Sequence, residues 1–136
     1  PARAALCGAD PATRRAVAAA AAGRLGLGLL VVRADALPTE HESLTRLCAR
    51  EAALSGAVLM VESRDGDGDP LRAAAIERFV DRLDATVLTS GREPLAGLER
   101  PGPRIDVDRP THDEQRNLWI RALAATGSTL ASVSAT

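Results

Sequence analysis

The most informative segment of the sequence is Ala4-Ala5-Leu6-Cys7-Gly8-Ala9-Asp10-Pro11-Ala12-Thr13-Arg14-Arg15-Ala16-Val17. A short apolar run ends at Gly8, a turn follows, and an alanine-rich helix begins. Asp10 suits the N-cap of that helix, and Pro11 suits its first turn, where a missing N–H is tolerated. The stretch therefore predicts a strand, a turn and a helix in succession.

Four further strand patterns alternate with helical patterns along the rest of the chain. The predicted strands cover residues 29–32, 57–61, 86–89 and 104–108. Three of the five predicted strands are apolar throughout, which indicates a parallel sheet that helices cover on both faces. In such a sheet the ligand crevice lies outside the carboxyl ends of the strands.

Three more helices are predicted from their start signals. A capping box at residues 39–42 opens one helix, Asp69-Pro70 opens the next, and a second capping box at residues 111–114 opens the last, which runs to Gly127. We expect apolar positions of the first two to face inward: Leu44, Leu47, Cys48 and Leu54, then Leu71, Ala75, Phe79 and Leu83.

Composition indicates an ordinary globular domain. The chain has 136 residues, of which 26% are charged and 46% hydrophobic, and its net charge of −1 argues against a nucleic-acid or membrane partner recognised by bulk charge. No apolar run approaches the roughly 20 residues of a membrane span. We expect a cytoplasmic domain over residues 1–127, a frayed or truncated tail over 128–136, and a longer parent protein, because the chain begins with proline.

Cysteines, histidines and the acidic loop have ordinary interpretations. We expect Cys7 and Cys48 to be reduced core thiols, and His41 and His112 to lie on the surface in the first turns of helices. The loop at residues 64–69 alternates aspartate and glycine, but it lacks the glutamate that completes a calcium-binding EF-hand loop. The residues therefore predict no metal site.

Gly8 stands where a P-loop has its first glycine. The motif G-x-x-x-x-G-K-[ST] then requires glycine, lysine and a hydroxyl at the positions that Thr13, Arg14 and Arg15 occupy. All seventeen basic residues are arginine, so the chain has no P-loop lysine.

From Leu6 to Leu123 the layout resembles the α/β part of an AAA+ ATPase domain. Residues 58–63 resemble a Walker B strand, 86–94 the sensor-1 strand, 100–104 the arginine-finger region, and 109–116 the passage into the helical lid. The resemblance implies a P-loop NTPase-like, five-stranded sheet in the order 5-1-4-3-2, with a lid helix from near residue 111.

The resemblance also implies a set of site residues. The catalytic positions would be Glu62, Ser63 and Ser90, and Arg100 and Arg104 would be candidate fingers. The nucleotide-binding positions would be Gly8, Ala9, Asp10, Pro11, Ala12, Thr13, Arg14 and Arg15.

Departures from the motif predict a degenerate site. Thr13 restricts the backbone, Pro11 removes an amide donor, and Asp10 brings its carboxylate to the anion site at the helix N-terminus. Arg15 replaces the hydroxyl that ligates magnesium, and Ser63 replaces the glutamate that polarises water. We therefore expect weak ATP binding, doubtful magnesium binding, and weak or absent hydrolysis.

Three functions follow as expectations. The first is a degenerate AAA+ domain that packs, as a structural or regulatory module, against a competent ATPase domain in the same chain or in a ring. Oligomer formation is an option under this expectation. The second is an active ATPase with an atypical loop. The third is a receiver-like or flavodoxin-like module, although a receiver would need a lysine that this chain lacks.

Overall fold

The computed structural model describes residues 1–64 and 68–127, which form five β-strands, four α-helices and one short 3₁₀-helix. In chain order the elements are β1 (Arg3–Cys7), α1 (Pro11–Arg24), β2 (Gly28–Arg33), a 3₁₀-helix (Ala34–Ala36), α2 (Glu42–Ser55), β3 (Ala57–Glu62), α3 (Pro70–Arg82), β4 (Val87–Gly91), β5 (Arg104–Asp106) and α4 (His112–Ala125). The loop residues 65–67 and the tail 128–136, for which we predicted a solvated loop and a frayed end, lie outside the described residues.

All strands of the sheet are parallel, and their order is β2-β3-β4-β1-β5. This is the predicted order 5-1-4-3-2 counted from the opposite edge, so that prediction is confirmed. The register pairs Cys7 with Gly91 and Glu62 with Ser90, which brings the carboxyl ends of β1, β3 and β4 side by side.

Alternate strand residues supply two cores, one on each face of the sheet. Leu59 and Val61 pack with Phe79 and Val80 from α3 on one face. Met60, between them in sequence, packs with Leu6 and with Ala18 from α1 on the other face. Successive strand side chains point to opposite faces, so the prediction of helices on both sides of the sheet is confirmed.

Helix α2 begins later than its sequence suggests. The predicted capping box at residues 39–42 is wrong, because the N-cap is His41 and its side chain makes no capping bond. The predicted surface position of His41 is wrong as well: its ring is buried and meets Phe79 edge-on, with centroids 5.5 Å apart. This aromatic contact fixes His41 against α3, and Glu42 then starts the helix.

The inner stripes of α2 and α3 also differ from the predicted ones. Leu47 and Leu54 are exposed, because Thr45 and Ala52 form the buried side of α2. In α3, Leu71 is 80% exposed, whereas Phe79 and Leu83 are buried as predicted and Ile76 and Val80 join them. Leu54 and Leu71 lie at helix ends, where a leucine contributes to the periodicity without being near the core, whereas Leu47 lies within α2 on its exposed side.

Candidate functional site

The candidate site lies at the carboxyl ends of β1, β3 and β4, beneath the start of α1. Glu62 and Ser90 are register partners on β3 and β4. Two residues earlier, Met60 and Leu88 pack on the α1 side of the sheet, so Glu62 and Ser90 point to the same side. The predicted catalytic positions thus meet the first turns of α1.

The turn between β1 and α1 has only three residues, Gly8 to Asp10. The Asp10 carboxylate accepts hydrogen bonds from the backbone N–H of Ala12 at 3.3 Å and from the hydroxyl of Thr13 at 2.6 Å. The Thr13 bond is the main cause that lowers the pKa of Asp10. The early helix start, with Asp10 closing over its amide donors, is therefore confirmed.

Gly8 has a packing role that needs no ligand. The N–H of Val107 donates to the carbonyl of Cys7 at 2.7 Å, which brings the chain after β5 directly over Gly8. A Cβ at position 8 would collide with the carbonyl oxygen of Val107. The absence of a side chain is thus required by the neighbouring backbone.

Arg14 is the most unusual residue of the site, because its side chain is completely buried. Its Nε donates to the hydroxyl of Ser90 at 2.8 Å, and its Nη1 donates to the carbonyl oxygen of Gly8. Both acceptors are neutral. Its third nitrogen, Nη2, is buried and has no hydrogen-bond partner among the described residues. The guanidinium therefore closes the space between the ends of β1 and β4.

Arg15, the next residue, reaches β3. Its Nη2 lies 2.5 Å from Oε2 of Glu62, while the Arg15 side chain stays half exposed to solvent. The other carboxylate oxygen of Glu62 is buried and makes no hydrogen bond to the described part of the chain. The neighbouring Ser63 donates its backbone N–H to the carbonyl of Ser90 at 2.8 Å. Glu62, at the end of β3, is thus held by Arg15 from the first turns of α1.

A cleft of about 570 Å³ adjoins this cluster on the β2 side. Asp35 forms its far wall and pairs with Arg33 at 2.9 Å and with Arg64 at 3.6 Å. The hydrogen bond from Arg33 is the main cause that lowers the pKa of Asp35. The cleft is lined by Pro11, Ala12, Arg15, Arg33, Asp35, Glu62, Ser63 and Arg64. Its charged groups are largely engaged with one another.

The structure brings most of the predicted residues together but not the candidate fingers. Arg104 pairs with Asp106 at 2.9 Å and with Glu93 at 3.1 Å, and Arg100 donates to the backbone carbonyl of Asp81 at 3.4 Å. Both are therefore engaged within the domain. Cys7 is buried and Cys48 half-buried, and neither forms a disulfide.

Sequence reasoning missed the burial of Arg14 and the pairing of Arg15 with Glu62. One signal for the first was present: Arg14, Ala18 and Ala22 recur every fourth residue and form the buried side of α1. Nothing in the sequence indicated the second. In the described part of the chain, no three His, Cys, Asp or Glu side chains cluster as metal ligands, and no helix is long and apolar enough to cross a membrane.

A scan against protein-family models finds no match, and a search of curated proteins finds none either.

Proposed function

We propose that this chain is an AAA+-like, P-loop-type domain that does not hydrolyse ATP and that acts as a structural or regulatory module. The observation that carries the proposal is the buried guanidinium of Arg14, held by Ser90 and Gly8 where a P-loop protein receives phosphate. The strand order and the position of α1 after β1 support the fold assignment.

The conformation at the start of α1 argues against phosphate binding. A P-loop wraps a phosphate with successive backbone N–H groups at a helix N-terminus. Here the turn has three residues, Pro11 contributes no donor, and the Asp10 carboxylate already accepts from Ala12. A triphosphate would have to displace this negative charge, so its binding is weak.

The residues at the motif positions also argue against ATP hydrolysis. The chain lacks the lysine and the magnesium hydroxyl of a P-loop, and Ser63 stands in place of the glutamate that polarises water. Proton-transfer help alone contributes about 10²–10⁴-fold to a reaction rate, and charge stabilisation contributes a similar factor. Hydrolysis by this domain is therefore negligible, and we propose, from the family resemblance, that its partner is a competent ATPase domain.

The strand order conflicts with one of the two alternative functions and is compatible with the other. Flavodoxin-like and receiver sheets have the order 2-1-3-4-5, in which β1 lies between β2 and β3. Here β1 lies between β4 and β5, so a module of that class is excluded. An active ATPase with an atypical loop has the same fold and is distinguished only by experiment.

Titration with a fluorescent ATP analogue, with and without magnesium, tests the proposal. We expect weak binding that magnesium does not change, and ATP hydrolysis no faster than a protein-free blank. Magnesium-dependent turnover that an Arg14→Ala substitution abolishes would instead identify an active ATPase.

A gain-of-function variant tests the fold assignment separately. Thr13→Gly, Arg14→Lys and Arg15→Ser together restore the motif at its expected spacing. We expect this triple variant to bind the analogue at least about tenfold more tightly, a change of about 1.4 kcal/mol, and to become sensitive to magnesium. A matched variant with Arg14→Lys alone should remain weak, because Thr13 and Arg15 still depart from the motif.

A further inference from the structure

The cleft between α1 and the ends of β2 and β3 has an uneven distribution of charge. Its two carboxylates are well covered, because the side chains of Asp35 and Glu62 are only 19% and 13% exposed. Its three guanidinium groups lie further out: the side chains of Arg15, Arg33 and Arg64 are 53%, 61% and 74% exposed. A solute that enters the cleft therefore meets positive charge first.

Three separate segments of the chain bring these arginines to the cleft. Arg15 belongs to α1, Arg33 is the last residue of β2, and Arg64 follows the end of β3. Arg33 and Glu62 are register partners on neighbouring strands. Leu29, four residues before Arg33, packs on the α1 side of the sheet, so the Arg33 side chain points to that side as Glu62 does. The arginines thus reach one space from different elements.

Ion pairing inside the cleft uses only part of each guanidinium. Arg33 donates to Asp35 through Nε and Nη2, at 3.2 Å and 2.9 Å, and Arg15 donates to Glu62 through Nη2 alone. Arg64 lies 3.6 Å from Asp35 and makes no hydrogen bond to the described residues. A guanidinium carries more N–H donors than these bonds occupy. The carboxylates therefore hold the arginines in position without saturating them.

We infer that this cleft binds a small phosphate monoester, with the phosphate group between Arg15, Arg33 and Arg64. Guanidinium groups bind phosphate through paired, charge-assisted hydrogen bonds. A carboxylate has two oxygens, whereas the phosphate of a monoester presents three terminal oxygens, which suits donors that come from three elements. The cleft has three guanidinium groups and two carboxylates, so its surplus of positive charge favours an anion.

The size and position of the cleft also suit a small molecule. Its volume of about 570 Å³ is typical of ligand pockets and leaves room for an organic group beside the phosphate. It opens at the carboxyl ends of β2 and β3, the edge at which parallel α/β sheets bind ligands. The inference does not rest on the proposed function, because it uses neither Arg14 nor the turn between β1 and α1.

Amide NMR titration of the whole chain tests the inference. The probes are inorganic phosphate, ribose 5-phosphate and acetate, each added at constant ionic strength. We expect saturable shifts of the backbone amides of Arg33, Ser63 and Arg64 with both phosphates. Ribose 5-phosphate should bind more tightly than inorganic phosphate, because its sugar contacts the rest of the cleft. Acetate should bind at least about tenfold more weakly than ribose 5-phosphate.

Matched substitutions separate a built site from attraction by bulk charge. Arg33→Gln and Arg64→Gln each remove one guanidinium from the cleft and should weaken the binding of ribose 5-phosphate at least about tenfold. Arg46→Gln removes an exposed arginine of α2 that does not line the cleft, and should leave the affinity unchanged. The three variants have the same net charge, and far-UV circular dichroism verifies that each one folds.

Four outcomes would overturn the inference. Shifts that do not saturate mean that no site exists, and equal losses from the three substitutions mean that bulk charge attracts the probe. Acetate that binds as tightly as ribose 5-phosphate would contradict the ligand class, as would a ribose 5-phosphate affinity no higher than that of inorganic phosphate. Shifts confined to residues 8–14 would place the phosphate in the turn after β1.

The two proposals fail in different ways. Binding of the ATP analogue that Arg33→Gln abolishes and Arg14→Ala preserves takes place in the cleft and supports this inference. Magnesium-dependent ATP turnover that Arg14→Ala abolishes would contradict the proposed function and leave the cleft unaffected. A chain that neither hydrolyses ATP nor binds ribose 5-phosphate would contradict this inference alone.

Discussion

Helices α1 and α3 begin with the same Asp-Pro pattern, but their first turns lie in different surroundings. Each starts with an aspartate N-cap followed by proline, and each aspartate accepts from the backbone N–H two residues later, at 3.3 Å for Asp10 and 3.0 Å for Asp69. The start of α3 is exposed to solvent, whereas the start of α1 lies over the strand ends where a P-loop would bind phosphate.

The comparison shows that the turn after β1, where we predicted a degenerate P-loop, contains an ordinary helix start. What distinguishes α1 is the residue four places after its cap, the buried Arg14, where α3 has the half-buried Ala73. In α3 the nearest arginine is Arg72, which donates to the backbone carbonyl of Asp35 at 2.7 Å and remains half-buried. The two arginines therefore offer a matched test of what burial adds.

The largest effect is expected from Arg14→Ala. It leaves the Ser90 hydroxyl and the Gly8 carbonyl without their buried donor and opens a cavity, so we expect the free energy of unfolding to fall by about 3 kcal/mol. Arg72→Ala removes one bond at a half-exposed site and should cost about 1 kcal/mol. Urea denaturation measures both values.

A size-matched variant separates the charge of Arg14 from its volume. Arg14→Met retains most of the volume and removes the cost of burying a guanidinium between neutral acceptors, so its loss should be about 1 kcal/mol. If Arg14→Ala cost no more than Arg72→Ala, the buried arrangement of Arg14 would be contradicted.

A smaller effect is expected from removing the two caps. Asp10→Ala and Asp69→Ala each expose one amide of the first turn, and each should lower the melting temperature by a few degrees. Asp10→Ala should have the larger effect, because Asp10 also accepts from the Thr13 hydroxyl at 2.6 Å. Thermal melts followed by circular dichroism compare them. Equal losses would show that the Thr13 bond contributes nothing.

The sequence was sufficient to predict those helices and strands whose signals lie within a few neighbouring residues. Asp-Pro pairs located the starts of α1 and α3, and apolar runs located the buried strands, because these signals act within a few residues. The strand order came from the resemblance to a family. The start of α2 was predicted too early. The N-cap, His41, contacts Phe79, which lies 38 positions later in the chain, and such a contact leaves no signal in the local sequence.

The sequence predicted where the candidate site lies but not how its side chains are arranged. The crevice rule placed Gly8 to Arg15, Glu62 and Ser90 at one edge of the sheet. Whether an arginine there faces solvent or fills the site depends on distances between elements. Arg14 and Arg15 are adjacent in sequence, yet one is fully buried and the other pairs with Glu62 at the surface.

The smallest predicted effect is a pH dependence of stability that arises from Asp10, the cap of α1, whose pKa is lowered. A carboxylate whose pKa is lowered by folding stabilises the protein above its unfolded pKa of about 3.9, and this contribution disappears as the pH falls through the lowered folded value. Asp10 is such a group, chiefly because of the Thr13 hydroxyl. The stability advantage of the natural chain over Asp10→Asn should therefore be constant above about pH 5 and decline in more acidic solution.

Urea denaturation of both proteins between neutral and acidic pH measures this difference directly. Thr13→Val serves as the control, because it removes the hydroxyl that lowers the pKa of Asp10 but keeps the carboxylate and its bond to Ala12. In the Thr13→Val background the pH-dependent part of the stability difference between Asp10 and Asp10→Asn should become smaller, and its decline should end at a higher pH. An unchanged decline would mean that the hydroxyl does not hold the Asp10 carboxylate, and the difference between the two helix starts would then rest on Arg14 alone.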